Sequence, residues 1–461
     1  MRAGSGWSQG LRRRTGVRRE DHPTDGLRKV EERSRRTEGA CLSLVVRGKI
    51  FLAGGLLDCC ILVENGRIVR IARELSGEEI RFGRGRVVLP GLVDIHVHLR
   101  DFELSYKEDF ETGTMAAAMG GFTAVADMPN TRPLVNRPSV LRERERVARR
   151  KSFVDYALYY GVPEREPDLK NEIGKLAAGV KIFMHREFYG GRKGMVIKTL
   201  KFAAGKNLPV ICHAENPGFF VRTGMGEVGT PEAEAEAIKD AVRMAGELGF
   251  RLHLTHLSSR AGAEVFAGLK AKGISADTCP HYLLLTRENL GRLGGLAFVH
   301  PSIKGREDRR ALLRMLREGV IDAVTSDHAP HALDEKMSES PAPGFPGLET
   351  TLPLLLTMVN RGLLSMRDIV RACAERPAEI LGLRNIGKIE VGAWANFTVV
   401  DLRRTWRVDP SEFKSKAKFS PFAGRMVKGM PVATIVRGEP VMLEREIVGK
   451  KGWGKNVKTL R

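Results

Sequence analysis

The stretch Pro-Gly-Leu-Val-Asp-Ile-His-Val-His-Leu-Arg-Asp, residues 90–101, is an apolar strand that ends in two histidines, His96 and His98. Side chains two residues apart on a strand point to the same face, so both imidazoles can reach one metal ion. Arg100 continues this alternation, and a cation beside a metal suits a substrate that carries a carboxylate. The stretch therefore indicates a metal-dependent hydrolase for a small acidic molecule.

Strand and helix patterns alternate on both sides of this stretch, from about residue 90 to residue 384. The strand candidates after it are Thr123–Met128, Tyr156–Gly161, Gly179–Met184, Pro209–His213, Arg251–His256 and Ile321–Thr325. About eight β/α repeats predict an α/β fold, a (β/α)8 TIM-like barrel over residues 90–384.

Short β-like runs also occur at both ends of the chain, as at Leu42–Arg47 and Phe397–Asp401. Outside them, residues 1–40 are rich in arginine and lack an apolar core segment, so we expect a basic, disordered extension and not a signal peptide. Residues 447–461 are predicted to be a basic C-terminal tail.

The composition narrows the class of protein. The 461 residues carry a formal net charge of +21, and 42% of them are hydrophobic. No apolar run of about 18 residues occurs, so we expect no membrane span. No aromatic-basic motif accompanies the charge, so we expect no nucleic-acid partner. The six cysteines include no C-x-x-C pair, and a long, disulfide-poor chain without a signal is typical of a cytoplasmic protein.

Catalytic residues of such barrels lie at the carboxyl ends of the strands, and possible metal ligands recur there. His213 and His256 end two predicted strands and supply the imidazoles that a second metal needs. Lys181 lies inside an apolar run, where a buried ammonium is costly. A salt bridge would remove that cost. So would carboxylation by CO₂, which makes a carbamate able to bridge two cations.

Asp327, after the last predicted strand, is the expected final ligand and the catalytic proton shuttle. Two cations roughly 3.5–4 Å apart lower the pKa of a water between them and make hydroxide available for attack on an amide carbonyl. The Asp327 carboxylate then delivers the proton to the leaving nitrogen.

This set resembles the metal ligands of the amidohydrolase superfamily, and within it the cyclic amidases of the dihydroorotase group, from about residue 42 to 445. The motifs that carry the resemblance are His96–Asp101, Lys107–Thr114, Gly120–Thr123, Asp127–Thr131, Thr325–His331, Gly347–Thr350, Ser420–Gly424 and Thr434–Gly438. The resemblance implies reversible opening of (S)-dihydroorotate to N-carbamoyl-L-aspartate, a step of de novo pyrimidine synthesis, by hydroxide activated at two zinc ions.

Roles follow by position from the same resemblance. His96 and His98 would hold one zinc ion and His213 and His256 the other, with a CO₂-carboxylated Lys181 between them and Asp327 completing the first site. Residues 41–89 and 385–446 would form a small β-sandwich domain. The residues implied in substrate binding are Arg100, Asn130 and His331, a backbone group near Gly344, and His300, which replaces a family asparagine.

Two departures and several alternatives accompany this reading. Phe102-Glu103 stand where the family has Pro-Gly, which puts the turn of that loop in question. Dihydropyrimidinases (hydantoinases) and allantoinases would share the metals, but an uncharged hydantoin ring needs no carboxylate clamp. An inactive dihydroorotase-like scaffold for aspartate transcarbamoylase is a further alternative, although all six ligands persist here. A homo-oligomer or a complex with that enzyme is an expected assembly.

Overall fold

The computed structural model describes residues 43–460, and two sheets dominate it. The strands are β1 (Ser43–Leu52), β2 (Gly55–Glu64), β3 (Arg67–Ala72), β4 (Glu79–Arg81), β5 (Arg86–Pro90), β6 (Leu92–Val97), β7 (Phe122–Asp127), β8 (Asp155–Tyr160), β9 (Ala177–Phe183), β10 (Val210–His213), β11 (Phe220–Thr223), β12 (Gly226–Gly229), β13 (Leu252–Leu254), β14 (Ile274–Thr278), β15 (Ala323–Val324), β16 (Phe397–Arg407), β17 (Met426–Val436), β18 (Glu439–Leu443) and β19 (Glu446–Ile447).

Helices separate most of the central strands. The α-helices are Phe110–Met119, Pro138–Lys151, Ile173–Leu176, Lys193–Gly205, Pro231–Leu248, Arg260–Leu269, Pro280–Leu284, Arg287–Leu293, Arg306–Arg317, Leu333–Met337, Leu348–Asn360, Met366–Val370 and Arg376–Leu381. Among residues 43–460, no helix combines the length and the apolar character needed to cross a membrane.

The central sheet has the order β15-β14-β13-β10-β9-β8-β7-β6, and its neighbouring strands run parallel. Its two outer strands approach each other, because Val97 forms a parallel bridge with His328 and the His98 amide donates to the His328 carbonyl at 2.7 Å. The eight strands therefore form a nearly closed barrel, which confirms the predicted fold class.

A β-bulge in β6 sets the direction of the two histidines. Val93 and Ile95 belong to the apolar cluster inside the barrel, whereas Val97 belongs to the cluster between strands and helices. The register against β7 shifts between Asp94 and Val97. Regular alternation would put the consecutive residues Ile95 and His96 on opposite faces of the strand. Because of the bulge, both side chains face the barrel interior.

Strands from both chain ends share the second sheet, a mixed sheet of order β19-β18-β17-β16-β5-β1-β2-β3 with β4 beside β1. At the centre of this sheet, strands from the two chain ends are hydrogen-bonded neighbours: β5 pairs antiparallel with β16 and parallel with β1. The predicted extension 1–40, and Leu42 of the first predicted strand, lie outside the described residues.

The C-terminal residues, predicted from the sequence only as a basic tail, pack against the barrel. The Tyr156 amide, at the start of β8, donates to the Lys455 carbonyl at 3.0 Å, and the Val457 amide donates to the Tyr156 carbonyl at 2.8 Å. Val457 belongs to the same interior cluster as Ile211. This segment therefore closes the amino-terminal end of the barrel, opposite the strand ends that carry the polar residues.

Candidate metal centre and substrate pocket

Three predicted ligands meet at the carboxyl end of the barrel. The Nε2 atoms of His96 and His98 each lie 3.4 Å from Oδ1 of Asp327, and all three side chains are buried. One ligand atom from each residue lies within 4.8 Å of the others, a spacing that a single metal ion can occupy. The bulge in β6 and the residues after β15 thus create a candidate metal site.

A hydrogen bond orients the His98 imidazole, whereas Nδ1 of the His96 imidazole is buried without a partner. Nδ1 of His98 lies 2.7 Å from Oδ1 of Asn130, and the His96 amide donates to Asp94 at 3.0 Å. Burial lowers the pKa of His96 and of His98 well below the usual value, so both rings are neutral. A neutral ring that donates through Nδ1 presents the lone pair of Nε2, which is the form that binds a metal.

The other two histidines form a second pair beside the first. Nδ1 of His213 lies 3.0 Å from Nε2 of His256, and the His256 ring centre is 5.1 Å from that of His96. Glu215 accepts a hydrogen bond from Nε2 of His213 at 2.7 Å. Because that bond holds the proton on Nε2, the Nδ1 lone pair of His213 faces His256.

Lys181 lies beneath these rings and is completely buried. Its Nζ contacts Oγ1 of Thr255 at 3.4 Å, and the same hydroxyl lies 3.1 Å from Nε2 of His256. Within residues 43–460 no carboxylate oxygen lies within 4 Å of this Nζ, so the salt-bridge alternative has no partner there. Burial lowers the pKa of Lys181 to about 8, which favours the nucleophilic amine.

The backbone at the site is held in sparsely populated conformations. Arg100, Asp101 and Phe102 have φ values of 49°, 55° and 50°, and His256 and Asp327 have 47° and 46°. Such strain persists only where the surroundings enforce it, and it concentrates at functional sites.

The turn after the second histidine, which the sequence left in question, is held by a buried ion pair. Arg144 binds Asp127 at 2.7 Å and donates to the Arg100 carbonyl at 2.7 Å, while Asp127 accepts from the Leu99 amide at 2.8 Å. These bonds fix the backbone on both sides of Arg100 and aim its side chain towards the pocket.

Arg100 lies in a cationic pocket next to the first histidine pair. Its Nη2 is 3.2 Å from Nε2 of His331, and its Nε donates to the Pro330 carbonyl at 3.2 Å. Lys107 lies 3.2 Å from Nδ1 of the same His331 and pairs with Glu335 at 2.7 Å. Burial, with Arg100 and Lys107 beside it, lowers the pKa of His331 to about 3, so this ring is neutral.

The remaining predicted residues lie around the same end of the barrel. His300 packs its ring 5.1 Å from that of Phe298 and leaves Nδ1 buried without a partner. Gly344 has φ of 127°, and a Cβ there would lie 2.5 Å from the Ala329 carbonyl, so the close approach requires glycine. In the described part of the chain, these two residues form no hydrogen bond, ion pair or ring contact with the metal-ligand candidates.

The residues present fit a metal centre. Nδ1 of His96 and Nδ1 of His256 are buried without hydrogen-bond partners, and two neutral imidazoles meet nitrogen to nitrogen at 3.0 Å. A bound cation would satisfy buried ring nitrogens that lack hydrogen-bond partners. Imidazole and carboxylate donors are those that zinc prefers.

Comparison with known proteins then identifies the family. The profile of the amidohydrolase family matches residues 87–441. The chain belongs to the amidohydrolase family. Relatives of this amidohydrolase include proteins named dihydroorotase from Pyrococcus furiosus, 37% identical over 89% of this chain and 95% of that protein, and from Acetivibrio thermocellus, 35% identical over 86% and 96%.

Solved structures give the same fold. The L-hydantoinase (dihydropyrimidinase) of Arthrobacter aurescens superposes with a TM-score of 0.84, at 30% identity over 89% of this chain and 98% of that one. The dihydropyrimidinase of Brevibacillus agri, at 24% identity and a TM-score of 0.81 over 90% and 98%, supports the barrel architecture. The amidohydrolase fold therefore extends over most of the described chain.

Several residues with evident roles were missed by the sequence reasoning. Glu215 orients His213, Lys107 and Glu335 contact His331, and His185 places its ring 4.8 Å from that of His213. Glu215 and Glu335 gave local signals, because they stand two residues after His213 and four residues after His331. Lys107 and His185 lie in turns whose approach depends on tertiary structure.

Proposed function

We propose that this amidohydrolase is a dihydroorotase, which reversibly opens dihydroorotate to N-carbamoyl-aspartate. One observation carries the choice of substrate. Arg100 is only 7% exposed to solvent, and no carboxylate among residues 43–460 lies within 4 Å of its guanidinium. A buried cation without a counterion is costly, and the carboxylate of dihydroorotate would supply that counterion.

The neighbours of Arg100 support the same reading. Neutral His331 lies between Arg100 and the Lys107–Glu335 ion pair, where it offers hydrogen bonds without adding charge. Asn130 uses Oδ1 on His98, which leaves its amide NH2 for an acceptor on the ligand. His300 and the backbone near Gly344 are proposed to contact the ring. An uncharged hydantoin or dihydrouracil would leave Arg100 unpaired.

We further propose that two zinc ions bind here, one at His96, His98 and Asp327 and one at His213 and His256, with a carboxylated Lys181 between them. When bound, the ions supply an activated water and polarise the amide carbonyl. The neutral histidines need no deprotonation to bind. The partly neutral, carboxylate-free Lys181 amine is the form that reacts with CO₂.

Asp327 moves the proton. Burial raises the pKa of its carboxyl to about 7, so it can take a proton and return it near neutral pH. Water adds across the ring amide: a new C–O bond forms, the C–N bond breaks, and Asp327 passes the water proton to the leaving nitrogen. In the reverse direction the same carboxyl accepts that proton.

A substrate panel tests the proposal. Purified, zinc-loaded enzyme is assayed with dihydroorotate, dihydrouracil, hydantoin and allantoin, and the zinc content of the same sample is measured. We expect turnover of dihydroorotate and little of the uncharged rings. Turnover of dihydrouracil or hydantoin without turnover of dihydroorotate would move the chain to the hydantoinases. A zinc-loaded sample inactive on all four would favour the scaffold alternative. The assembly with aspartate transcarbamoylase, the homo-oligomer and the cytoplasmic location stay predictions.

A further inference from the structure

A second concave site lies in the sheet formed by the chain ends, on residues that the proposed reaction does not use. It is a cavity of about 710 Å³ lined by β1, β2, β5, β16, the segment from the end of β4 to β5, and Arg73 after β3. Its charged lining comprises one acid, Asp58, and seven cations: Arg47, Lys49, Arg73, Arg81, Arg84, Arg86 and Arg403.

Acidic neighbours compensate only part of this charge. Glu79 accepts from Arg47 at 2.8 Å and pairs with Arg81 at 3.2 Å, and Glu444 pairs with Arg86 at 2.6 Å. The side chains of three further cations form no ion pair or hydrogen bond within residues 43–460. These are Lys49, Arg73 and Arg84, and all three are exposed to solvent. The cavity therefore keeps an excess of positive charge that an anionic ligand would balance.

One of the cations is held in position by the backbone. Gly85 has φ of 90°, and a Cβ there would lie 2.3 Å from Nε of Arg403. The guanidinium thus occupies the space that a side chain would fill, and its Nη2 donates to the Arg84 carbonyl. Arg403 is exposed to solvent, so its remaining N–H donors can reach an anion in the cavity.

The cavity also has an apolar wall. Leu56, Phe82, Val87 and Leu402 line it beside the cations, and Leu56 is 39% exposed. Guanidinium groups bind phosphate oxygens in bidentate geometry, and the volume falls within the range of small-molecule sites. We propose that this cavity binds a small polyphosphorylated anion, of the class of inorganic triphosphate or a nucleoside triphosphate.

The test is calorimetric titration of the full-length, zinc-loaded protein with inorganic triphosphate and, separately, with uridine triphosphate. The variant K49Q/R73Q/R84Q removes three cavity charges. The matched control K170Q/K201Q/K272Q removes three exposed lysine charges that lie outside the cavity and have no ion-pair partner in the described chain. Both variants change the net charge equally, so unspecific attraction falls equally in both.

We expect saturable one-to-one binding that weakens at least roughly tenfold in the cavity variant, since each lost charge-assisted contact contributes about that much, and that changes little in the control. Tighter binding of uridine triphosphate than of triphosphate assigns a nucleotide as ligand, and equal affinities assign the phosphates alone. Either variant should melt normally and turn over dihydroorotate as the wild type does.

Three results would overturn the proposal. They are the absence of saturable binding to the wild type, equal weakening in both variants, and binding of a single-stranded oligonucleotide without binding of either triphosphate. The first two leave only diffuse charge, and the third makes the face a nucleic-acid surface.

Discussion

Replacing Glu215 by glutamine tests how the second histidine pair is oriented. The carboxylate accepts from Nε2 of His213 at 2.7 Å, and its other oxygen, Oε1, is buried without a partner. Oε1 also faces Gly229, where a Cβ would lie 2.1 Å away, so the side chain has little room to move. The amide of glutamine keeps this shape but loses the charge that holds the His213 proton.

The expected magnitude follows from these contacts. Loss of a carboxylate behind a metal-binding histidine weakens metal affinity by roughly 10–100-fold, or about 1.4–2.7 kcal/mol. The new amide NH2 would replace an oxygen that is already buried without a partner, so it leaves no additional polar group unpaired. Glu215→Gln should therefore bind its second zinc ion more weakly, with a smaller change in the free energy of unfolding than in zinc affinity.

A competition titration against a chromogenic chelator measures the zinc affinity, and urea denaturation of the metal-free protein measures stability separately. Glu234→Gln is the matched control. Glu234 is equally buried, but it accepts from Ser258 and Ser259 and contacts no histidine. Unchanged zinc affinity in Glu215→Gln, or an equal loss in Glu234→Gln, would refute the orienting role.

Four further predictions use other parts of the molecule. Arg100→Ala should raise the KM for dihydroorotate about 30-fold, the equivalent of roughly 2 kcal/mol for a charge-assisted pair, at unchanged zinc content; parallel loss of zinc would contradict the carboxylate role. Arg144→Met leaves the buried Asp127 carboxylate without its partner and should lower the free energy of unfolding, measured by urea denaturation, by roughly 3–5 kcal/mol. A decrease below about 1 kcal/mol, the value of a surface ion pair, would show that the pair is dispensable. Lys181→Ala should lose at least one zinc ion by mass spectrometry, and full occupancy would exclude the bridge. Burial raises the pKa of Glu349 to about 7, so its protonated carboxyl favours folding below about pH 4.5 and loses that contribution as the pH rises to 7. Relative to Glu349→Gln, the free energy of unfolding of the wild type should fall by roughly 1.4 kcal/mol per pH unit across that window. A difference in stability between the two proteins that stays constant with pH would refute the shift.

The barrel and the identity of the candidate ligands were predictable because the signal is local. Each apolar run ends in one polar residue, and parallel strands bring such ends to one rim. His96, His213 and Asp327 could therefore be placed near one another from the sequence. Lys181 stood out for the same reason, as a charge inside an apolar strand.

The parts that escaped prediction depend on distant contacts. Strict alternation would place Ile95 and His96 on opposite faces, and only the bulge against β7 turns both inward. Lys107 contacts His331 across a separation of 224 residues in the sequence. Val457 joins the interior cluster of the barrel from the C-terminal segment, where the sequence predicted a basic tail. Periodicity carries no information on such approaches.

The proposed reaction requires two divalent ions at the mouth of this barrel, bound around a carboxylated Lys181. Diffraction at the zinc absorption edge, from crystals grown with zinc and bicarbonate, tests it most directly. We expect two anomalous peaks, one beside His96, His98 and Asp327 and one beside His213 and His256, with density extending beyond Nζ of Lys181 to both. A single peak, or a plain amine at Lys181 beside two peaks, would contradict it.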